Sequence, residues 1–282
     1  MKIGDNILFW QGIYAGSGVV FGKKDSIIID TQMRKDQANL ILELMKLYGL
    51  YPKNVRYIID THMDLDHTGG NAWLKKATGA KIVAHTDDAR VAENPEKAAA
   101  SQARFAAARN EPFEPCKVEV EIKEDTVLEV GDLTLDIIHT PGHTAGSICV
   151  YHKDSKALFS GDTVLGYGRP YKVPLVRMDM ETMLHSLEKL SKLNIEWILP
   201  GHGDVVHGGN KRLNEFIKDL KDLPSKVLES LKEKQNTPAG ISEQFLIWPQ
   251  TAETVLRELD KAGKIRKVEN QVSTISTAWV AV

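Results

Sequence analysis

The chain has 282 residues, of which 42% are hydrophobic and 26% are charged. This length and apolar content predict one large α/β domain with a small appendage and exclude a disordered chain. The 36 basic and 38 acidic side chains give a net charge of −2, so charge gives no global reason to expect nucleic acid as the partner. Without a signal-peptide-like start or a long apolar run, we expect a soluble, cytoplasmic protein with no membrane span.

The first part of the chain alternates between predicted strands and helices. Apolar runs bounded by turn residues indicate strands, whereas apolar residues at helical spacing, followed by Gly49 as a stop, indicate a helix. A span rich in alanine is also predicted to be helical. The predicted strands are 7–10, 18–21, 27–30, 55–60 and 81–84, and the predicted helices are 36–48 and 95–109.

The second part of the chain changes its period and then its composition. Residues 118–158 have a period of two, which predicts the strands of a second sheet. A helix at 179–193 and a strand at 195–199 follow, and beyond Gly209 the chain becomes rich in Lys and Glu. We predict a catalytic domain at 1–209 and a winged-helix-like extension at 210–282. Its predicted elements are helices at 211–222, 225–234 and 251–262 and a hairpin over the last 19 residues.

The residues that carry chemistry follow buried strands. Four potential metal ligands lie within six residues directly after the strand at 55–60, and three more follow later strands or a Pro-Gly turn, each beside a glycine. Open α/β structures present their ligands at the carboxyl ends of strands, so these side chains are predicted to meet. A two-metal centre requires this number of His and Asp side chains. The seven are His62, Asp64, Asp66, His67, His143, Asp162 and His202.

This pattern resembles the metallo-β-lactamase superfamily, whose signature is H-x-H-x-D-H followed by a His, a bridging Asp and a final His. The resemblance covers about residues 5–209 and implies an αββα sandwich with the metals at one edge of the two sheets. The extension is similar to that of the lactamase-beta-2-like branch. The resemblance implies that His62, Asp64 and His143 hold one metal, that Asp66, His67 and His202 hold the other, and that Asp162 bridges them.

Asp64 departs from the signature, which has a His at this position. Flavodiiron proteins share the fold and carry a carboxylate there, although no flavodoxin-like domain follows in this chain. Two divalent metals, the carboxylates of Asp66 and Asp162 and a bridging hydroxide carry one net positive charge, which Asp64 cancels. A site with a hard carboxylate oxygen and a lower net positive charge suits Fe or Mn as well as Zn. On this count, Asp64→His is expected to raise zinc occupancy.

Four further residues are predicted to contact the substrate. Tyr167, Arg169 and Lys172 follow the predicted bridging Asp on a loop with Gly and Pro, and His85 follows a strand near the proposed rim. Asp66 is predicted to be catalytic as well as a ligand, because it would orient the attacking water and pass the proton of that water to the leaving group.

The sequence therefore predicts a metal-dependent hydrolase. A metal-activated hydroxide would attack an ester, thioester, lactone or amide of a small molecule. One alternative is a phosphodiesterase or ribonuclease of the same superfamily, although residues 210–282 hold only 12 Lys/Arg against 10 Asp/Glu. Another is a nucleic-acid-binding winged-helix protein with a vestigial metal domain. The six ligand positions other than Asp64 match the signature, which argues against this alternative. A homodimer is left open.

Overall fold

The computed structural model of the protein describes residues 1–92, 114–168, 173–268 and 277–282. The Ala-rich helix predicted at 95–109 therefore lies outside the described residues. Among the helices that are described, none combines the length and apolar character needed to cross a membrane.

The first sheet has seven strands whose spatial order is their order along the chain. β1 to β4 pair antiparallel, and β4 to β7 pair parallel. The last strand was expected in the second sheet, but it pairs with β6 and so extends the first. The strands are β1 (Lys2–Ile3), β2 (Ile7–Gln11), β3 (Gly16–Phe21), β4 (Ser26–Ile29), β5 (Val55–Ile59), β6 (Lys81–His85) and β7 (Val120–Ile122).

The second sheet has six strands in the order β13-β12-β11-β10-β9-β8. Only β11 and β12 pair parallel among these strands, and the other neighbours are antiparallel. The strands are β8 (Thr126–Val130), β9 (Leu133–His139), β10 (Ile148–His152), β11 (Ala157–Gly161), β12 (Trp197–Pro200) and β13 (Val206–His207), and a separate hairpin near the C-terminus joins β14 (Ile265–Val268) to β15 (Ala278–Ala281).

The described helices cover the outer faces of the sheets and form the C-terminal part of the chain. They are α1 (Lys35–Leu47), α2 (Leu65–Thr68), α3 (Asn71–Thr78), α4 (Thr86–Ala92), α5 (Met180–Leu190), α6 (Gly209–Glu233), α7 (Pro238–Phe245) and α8 (Pro249–Lys261), with a 3₁₀ turn at Pro52–Asn54.

The two helices predicted at 211–222 and 225–234 are one continuous helix, α6. Pro224 indicates a break because it removes a backbone donor and crowds the preceding turn. The buried residues of α6 keep helical spacing on both sides of Pro224, from Phe216 and Leu220 to Val227 and Leu231. Burying this one stripe stabilises the uninterrupted helix more than the proline destabilises it.

The layers form the αββα sandwich that the family resemblance implies. Side chains such as Ile59 and Phe159 fill the space between the sheets. The other face of the first sheet packs through Ile58 against α1 and α3, and the other face of the second sheet packs against α5, α6 and α8. Because strand residues alternate between faces, Ile58 and Ile59 enter different layers of the core.

The apolar core does not stop at the predicted boundary after residue 209. Leu187 of α5, Phe216 of α6, Val255 of α8 and Cys149 of β10 belong to one buried cluster. The C-terminal helices therefore pack directly on the second sheet and its helix. The division of the chain into two domains stays a prediction.

Replacing Phe216 tests this shared core. Phe216 is fully buried, so Phe216→Ala should lower the free energy of unfolding by about 3–5 kcal/mol. Because the cluster is continuous, denaturant unfolding should remain one transition shifted to lower denaturant. Leu47→Ala is the control, since Leu47 is 79% exposed and its loss should change stability little. A separate early transition for residues 210–282 would contradict the shared core.

Candidate metal centre

All seven predicted ligands lie at one edge of the sandwich, on segments that follow strand ends. β5 ends at Ile59, just before the H-x-D-x-D-H segment, and β11 ends at Gly161, just before Asp162. His143 lies in the turn between β9 and β10, and His202 follows β12. The parallel strands β4, β5 and β6, and β11 and β12, point their carboxyl ends the same way, so their following residues meet.

The first group consists of His62, Asp64 and His143. Asp64 Oδ2 lies 3.8 Å from His62 Nε2 and 3.4 Å from His143 Nε2. The rings of His62 and His143 meet edge to face with centroids 4.7 Å apart. One ligand atom from each residue lies within 4.8 Å of the others, which is close enough for a shared metal ion.

The second group consists of Asp66, His67 and His202, with Asp162 between the two groups. His202 Nε2 lies 3.3 Å from Asp66 Oδ2 and 3.4 Å from Asp162 Oδ2. Asp162 Oδ1 lies 3.4 Å from His67 Nε2, and Asp162 Oδ2 lies 3.7 Å from His143 Nε2. Asp162 thus contacts imidazoles of both groups, as a bridging carboxylate would.

Hydrogen bonds turn three imidazole rings so that Nε2 faces the centre. Thr61 Oγ1 lies 3.1 Å from His62 Nδ1, Asp30 Oδ2 lies 2.8 Å from His67 Nδ1, and the Leu175 carbonyl oxygen lies 3.2 Å from His143 Nδ1. Each Nδ1 therefore has an oxygen neighbour that can accept its hydrogen, so in the neutral ring Nε2 is the nitrogen left to bind a metal. Metal-binding histidines are held in this way by an acceptor on the other ring nitrogen.

These donor atoms fit a metal site. The Nε2 atoms of His62, His67 and His143 and Asp162 Oδ1 are buried, and none has a hydrogen-bond partner among the residues that the structure describes. Leaving buried polar atoms unsatisfied is costly, about 1–3 kcal/mol for each group. Divalent metals at this edge would satisfy them, and nitrogen and oxygen donors suit Zn, Fe or Mn.

Burial and neighbouring charges shift the pKa values of three histidines, His62, His67 and His202. Burial lowers the pKa of His62 well below its usual value, and His67 and His143 lower it further. Burial also disfavours charged His202, but Asp162 and Asp66 outweigh this and raise its pKa to about 9. Against the same effect of burial, Asp30 and Asp162 hold the pKa of His67 well above its usual value.

The carboxylates respond in the opposite direction. Burial alone would raise the pKa of Asp162, but His202 and His67 outweigh it and hold the pKa well below its usual value. Burial likewise opposes ionisation of Asp64, whose pKa is lowered well below its usual value by His143, His62 and Arg177. Both groups are therefore ionised at neutral pH, as metal-binding carboxylates must be.

Arg177 contacts Asp64, and no motif in the sequence predicts this contact. Its Nη1 donates to Asp64 Oδ1 at 3.0 Å and its Nη2 donates to Asp64 Oδ2 at 2.6 Å. Arg177 follows a stretch without a recognised motif, so only the folded chain brings it to the site. The net charge of the proposed centre, counted above from the motif residues alone, leaves out this guanidinium. Including Arg177 adds one positive charge to that count.

Two other buried carboxylates hold the ligand loops, and sequence reasoning singled out neither as part of the site. Asp88 accepts hydrogen bonds from the backbone N–H groups of Met63 and Gly146 and from Thr144 Oγ1. It therefore joins the H-x-D-x-D-H segment to the turn that bears His143. The other is Asp30, which follows β4 at the same edge and so carries the strand-end signal that identified the ligands.

The segment at 174–178 is fixed by the C-terminal helix α8. Thr251 Oγ1 donates to the Pro174 carbonyl oxygen at 3.2 Å and accepts from the Val176 N–H at 3.0 Å. Thr254 Oγ1 donates to the Val176 carbonyl oxygen at 3.3 Å. Because Leu175 and Arg177 lie within this segment and contact His143 and Asp64, α8 is linked to two predicted ligands through it.

Gly201 shows how tightly the strand ends pack around the centre. A Cβ at this position would collide with Asp162 Oδ1 and with the ring of His67. Only glycine lets the β12 end approach the other ligand loops so closely. This is the physical reason for the glycine beside His202.

The predicted substrate-contacting residues differ in placement. Tyr167 is 43% exposed, its backbone bridges to Asp204 beyond His202, and the Arg212 guanidinium lies 4.6 Å from its ring. His85 is buried, and both of its ring nitrogens contact backbone groups. The other two predicted contacts, Arg169 and Lys172, lie outside the described residues.

Comparison with known proteins agrees with this architecture. The chain is 28% identical over 217 residues to the lactamase-like protein aptB of Emericella nidulans, a match that spans 77% of this chain and 60% of that protein. It is 26% identical over 258 residues to a beta-lactamase-like protein 2 homolog of Drosophila melanogaster, covering 85% of this chain and 80% of that protein.

A solved structure shares the fold over nearly the whole chain. The metallo-beta-lactamase family protein of Thermus thermophilus superposes with a TM-score of 0.75 at 18% identity and covers 98% of both chains. Residues 14–202, which include every predicted metal ligand, match the family model described as the metallo-beta-lactamase superfamily. The chain belongs to the metallo-beta-lactamase superfamily of metallohydrolases.

Proposed function

We propose that this protein is a dinuclear hydrolase that cleaves an ester, thioester, lactone or amide bond of a small-molecule substrate. The observation that carries the proposal is a set of buried donor atoms at the sheet edge that have no hydrogen-bond partner in the described part of the chain, among them the Nε2 atoms of three histidines. Such a set costs stability unless metals bind it. Family membership supports the hydrolase class, and the nature of the bond cleaved is our inference.

Two divalent ions complete the proposed centre, with zinc first and with iron or manganese as candidates because Asp64 supplies a hard oxygen ligand. One would be held by His62, Asp64 and His143, the other by Asp66, His67 and His202, with Asp162 between them. Bound metals of this kind supply hydroxide at neutral pH and polarise the bond under attack.

Asp66 is the proposed proton carrier of the reaction. Its Oδ2 lies 3.3 Å from His202 Nε2, whereas its buried Oδ1 accepts no hydrogen bond from the described part of the chain. That oxygen is free to orient the attacking water and to pass the proton of that water to the leaving group. Tyr167, half exposed beside the His202 loop, is the proposed substrate contact among the described residues.

An activity screen tests this proposal. Protein purified without chelator, protein stripped of metal and protein reloaded with zinc should be compared on ester, thioester, lactone, amide and RNA substrates. We expect hydrolysis of at least one carbonyl substrate that is lost on stripping and restored by zinc. Equal hydrolysis by the stripped protein would contradict the metal centre, and cleavage of RNA alone would favour the phosphodiesterase alternative.

Metal binding should also release protons. In the metal-free protein His202, with a pKa of about 9, and His67, whose pKa is also raised, carry an extra proton at pH 7. A metal takes the deprotonated ring, so binding should release about one to two protons and zinc affinity should rise with pH up to about 9. Calorimetric titration with zinc in buffers of different ionisation enthalpy measures this release. A binding enthalpy independent of buffer would contradict it.

For residues 210–282 we propose a structural role at the site instead of DNA reading. Thr251 and Thr254 of α8 hold the segment that carries Leu175 and Arg177, and through it His143 and Asp64. The near balance of charge in these residues supports the same interpretation. The winged-helix-like elements would then hold the segment that positions two of the metal ligands.

Thr251→Val tests this role. The change leaves the Val176 N–H without its side-chain acceptor, so the segment should loosen and zinc affinity at the first group should fall about tenfold. Thr78→Val is a matched control, because the hydrogen bonds of the Thr78 side chain to described residues, Leu74 and Ala80, lie within and just after α3. Chelator competition measures the affinity. Unchanged zinc affinity, or DNA binding whose salt dependence indicates several phosphate contacts, would contradict the proposal.

A further inference from the structure

The contact between Asp64 and Arg177 has the geometry of a paired unit. Two parallel hydrogen bonds, at 3.0 and 2.6 Å, join the two side chains. The side chain of Asp64 is 7% exposed and that of Arg177 is 24% exposed, so the pair is largely removed from water. A planar guanidinium that binds both oxygens of a carboxylate fixes its orientation as well as its charge.

We propose that Asp64 and Arg177 together act as one neutral metal ligand in the place where the family signature has a histidine. This inference rests on the proposed two-metal function. A carboxylate has about four lone-pair positions, and Arg177 occupies one on each oxygen. Asp64 Oδ2 has a second such position, and it is this oxygen that lies near His62 and His143.

The pair changes the charge of the proposed centre. A histidine contributes a neutral ring, whereas Asp64 alone adds a negative charge. The Arg177 guanidinium, which never deprotonates in proteins, returns the missing positive charge at a distance of 2.6 Å. The centre then has the formal charge of a site with the usual histidine, and the sequence-based reason to expect a less positive centre is removed.

The backbone holds Arg177 in the position that this role requires. The N–H of Arg177 donates to the Gly142 carbonyl oxygen at 3.0 Å, and Gly142 precedes His143. The Leu175 carbonyl oxygen, two residues earlier, accepts from His143 Nδ1. One short segment therefore carries the partners of two ligands of the same proposed metal, and its backbone is held beside His143.

Each charged side chain of the pair should make zinc binding less favourable when its partner is replaced. Asp64→His leaves the guanidinium partly buried beside two metal ions with no carboxylate of its own. Arg177→Met removes the two hydrogen bonds and the positive charge that Arg177 supplies to the Asp64 carboxylate. Losing the hydrogen bonds should weaken zinc binding, whereas losing the positive charge should strengthen it. The consequences of the two changes should therefore be strongly non-additive.

A double-mutant cycle on zinc affinity tests the pair. The four proteins are the wild type, Asp64→His, Arg177→Met and the double variant, and the measurements are zinc content and chelator competition. We expect Asp64→His alone to weaken the first site by about tenfold or more, and the added Arg177→Met to restore it to within about threefold of the wild type. In the wild-type background Arg177→Met should not strengthen zinc binding to a comparable extent.

Matched variants separate the pair from general effects. Arg56→Met removes an exposed arginine paired with Asp25, near the start of β5 and far from its metal-binding end, and should not change zinc affinity in either background. Asp64→Asn keeps the side-chain shape and removes the charge, so it repeats the test should Asp64→His fail to fold. It should also weaken zinc binding and be rescued by Arg177→Met.

Two outcomes would overturn the inference. One is that Asp64→His binds zinc as tightly as the wild type or more tightly, as the sequence alone predicts. The other is that Arg177→Met changes affinity by the same factor in both backgrounds. Failure of the proposed metal centre would give a different result. The wild type would then bind no zinc, or Asp162→Ala would retain both ions, and either result would also refute the role proposed for the pair.

Discussion

The burial of charge at one edge of the sandwich is the constraint on which the rest of the structure depends. Three carboxylates and three imidazoles lie there almost without exposure, with His202 at the rim. Removing such groups from water costs several kcal/mol for each ion unless it is paired or coordinated. Contacts among these groups offset part of that cost, and metal ions at the proposed centre would offset the rest by binding the donor atoms that have no partner among the described residues.

The fold meets this constraint with rigid supports drawn from distant parts of the chain. Asp30 follows β4 and orients His67, while Asp88 of α4 joins two ligand loops. Gly201 allows the closest approach of backbone to the centre. The C-terminal helix α8 contributes through Thr251, so a segment outside the matched family region supports the ligands as well. A site held from so many sides can keep its geometry before metal binds.

The sequence predicted what local pattern encodes and missed what only tertiary contact creates. Short motifs after predicted strands carry the family resemblance, and that resemblance implies the sandwich and the placement of the ligands at one edge. Arg177 was missed because it lies in no motif and reaches Asp64 across 113 residues. The break predicted in α6 was wrong because it was inferred from Pro224 alone. The helix continues because its buried stripe, from Phe216 to Leu231, packs against the rest of the protein.

Anomalous X-ray scattering from zinc-loaded crystals tests the central claim most directly. The account predicts two zinc peaks at the sheet edge, with ligand atoms at about 2.0–2.2 Å. One peak should be bound by His62, Asp64 and His143 and the other by Asp66, His67 and His202, with Asp162 contacting both. A single peak, or zinc bound away from these seven side chains, would contradict a dinuclear centre in this protein.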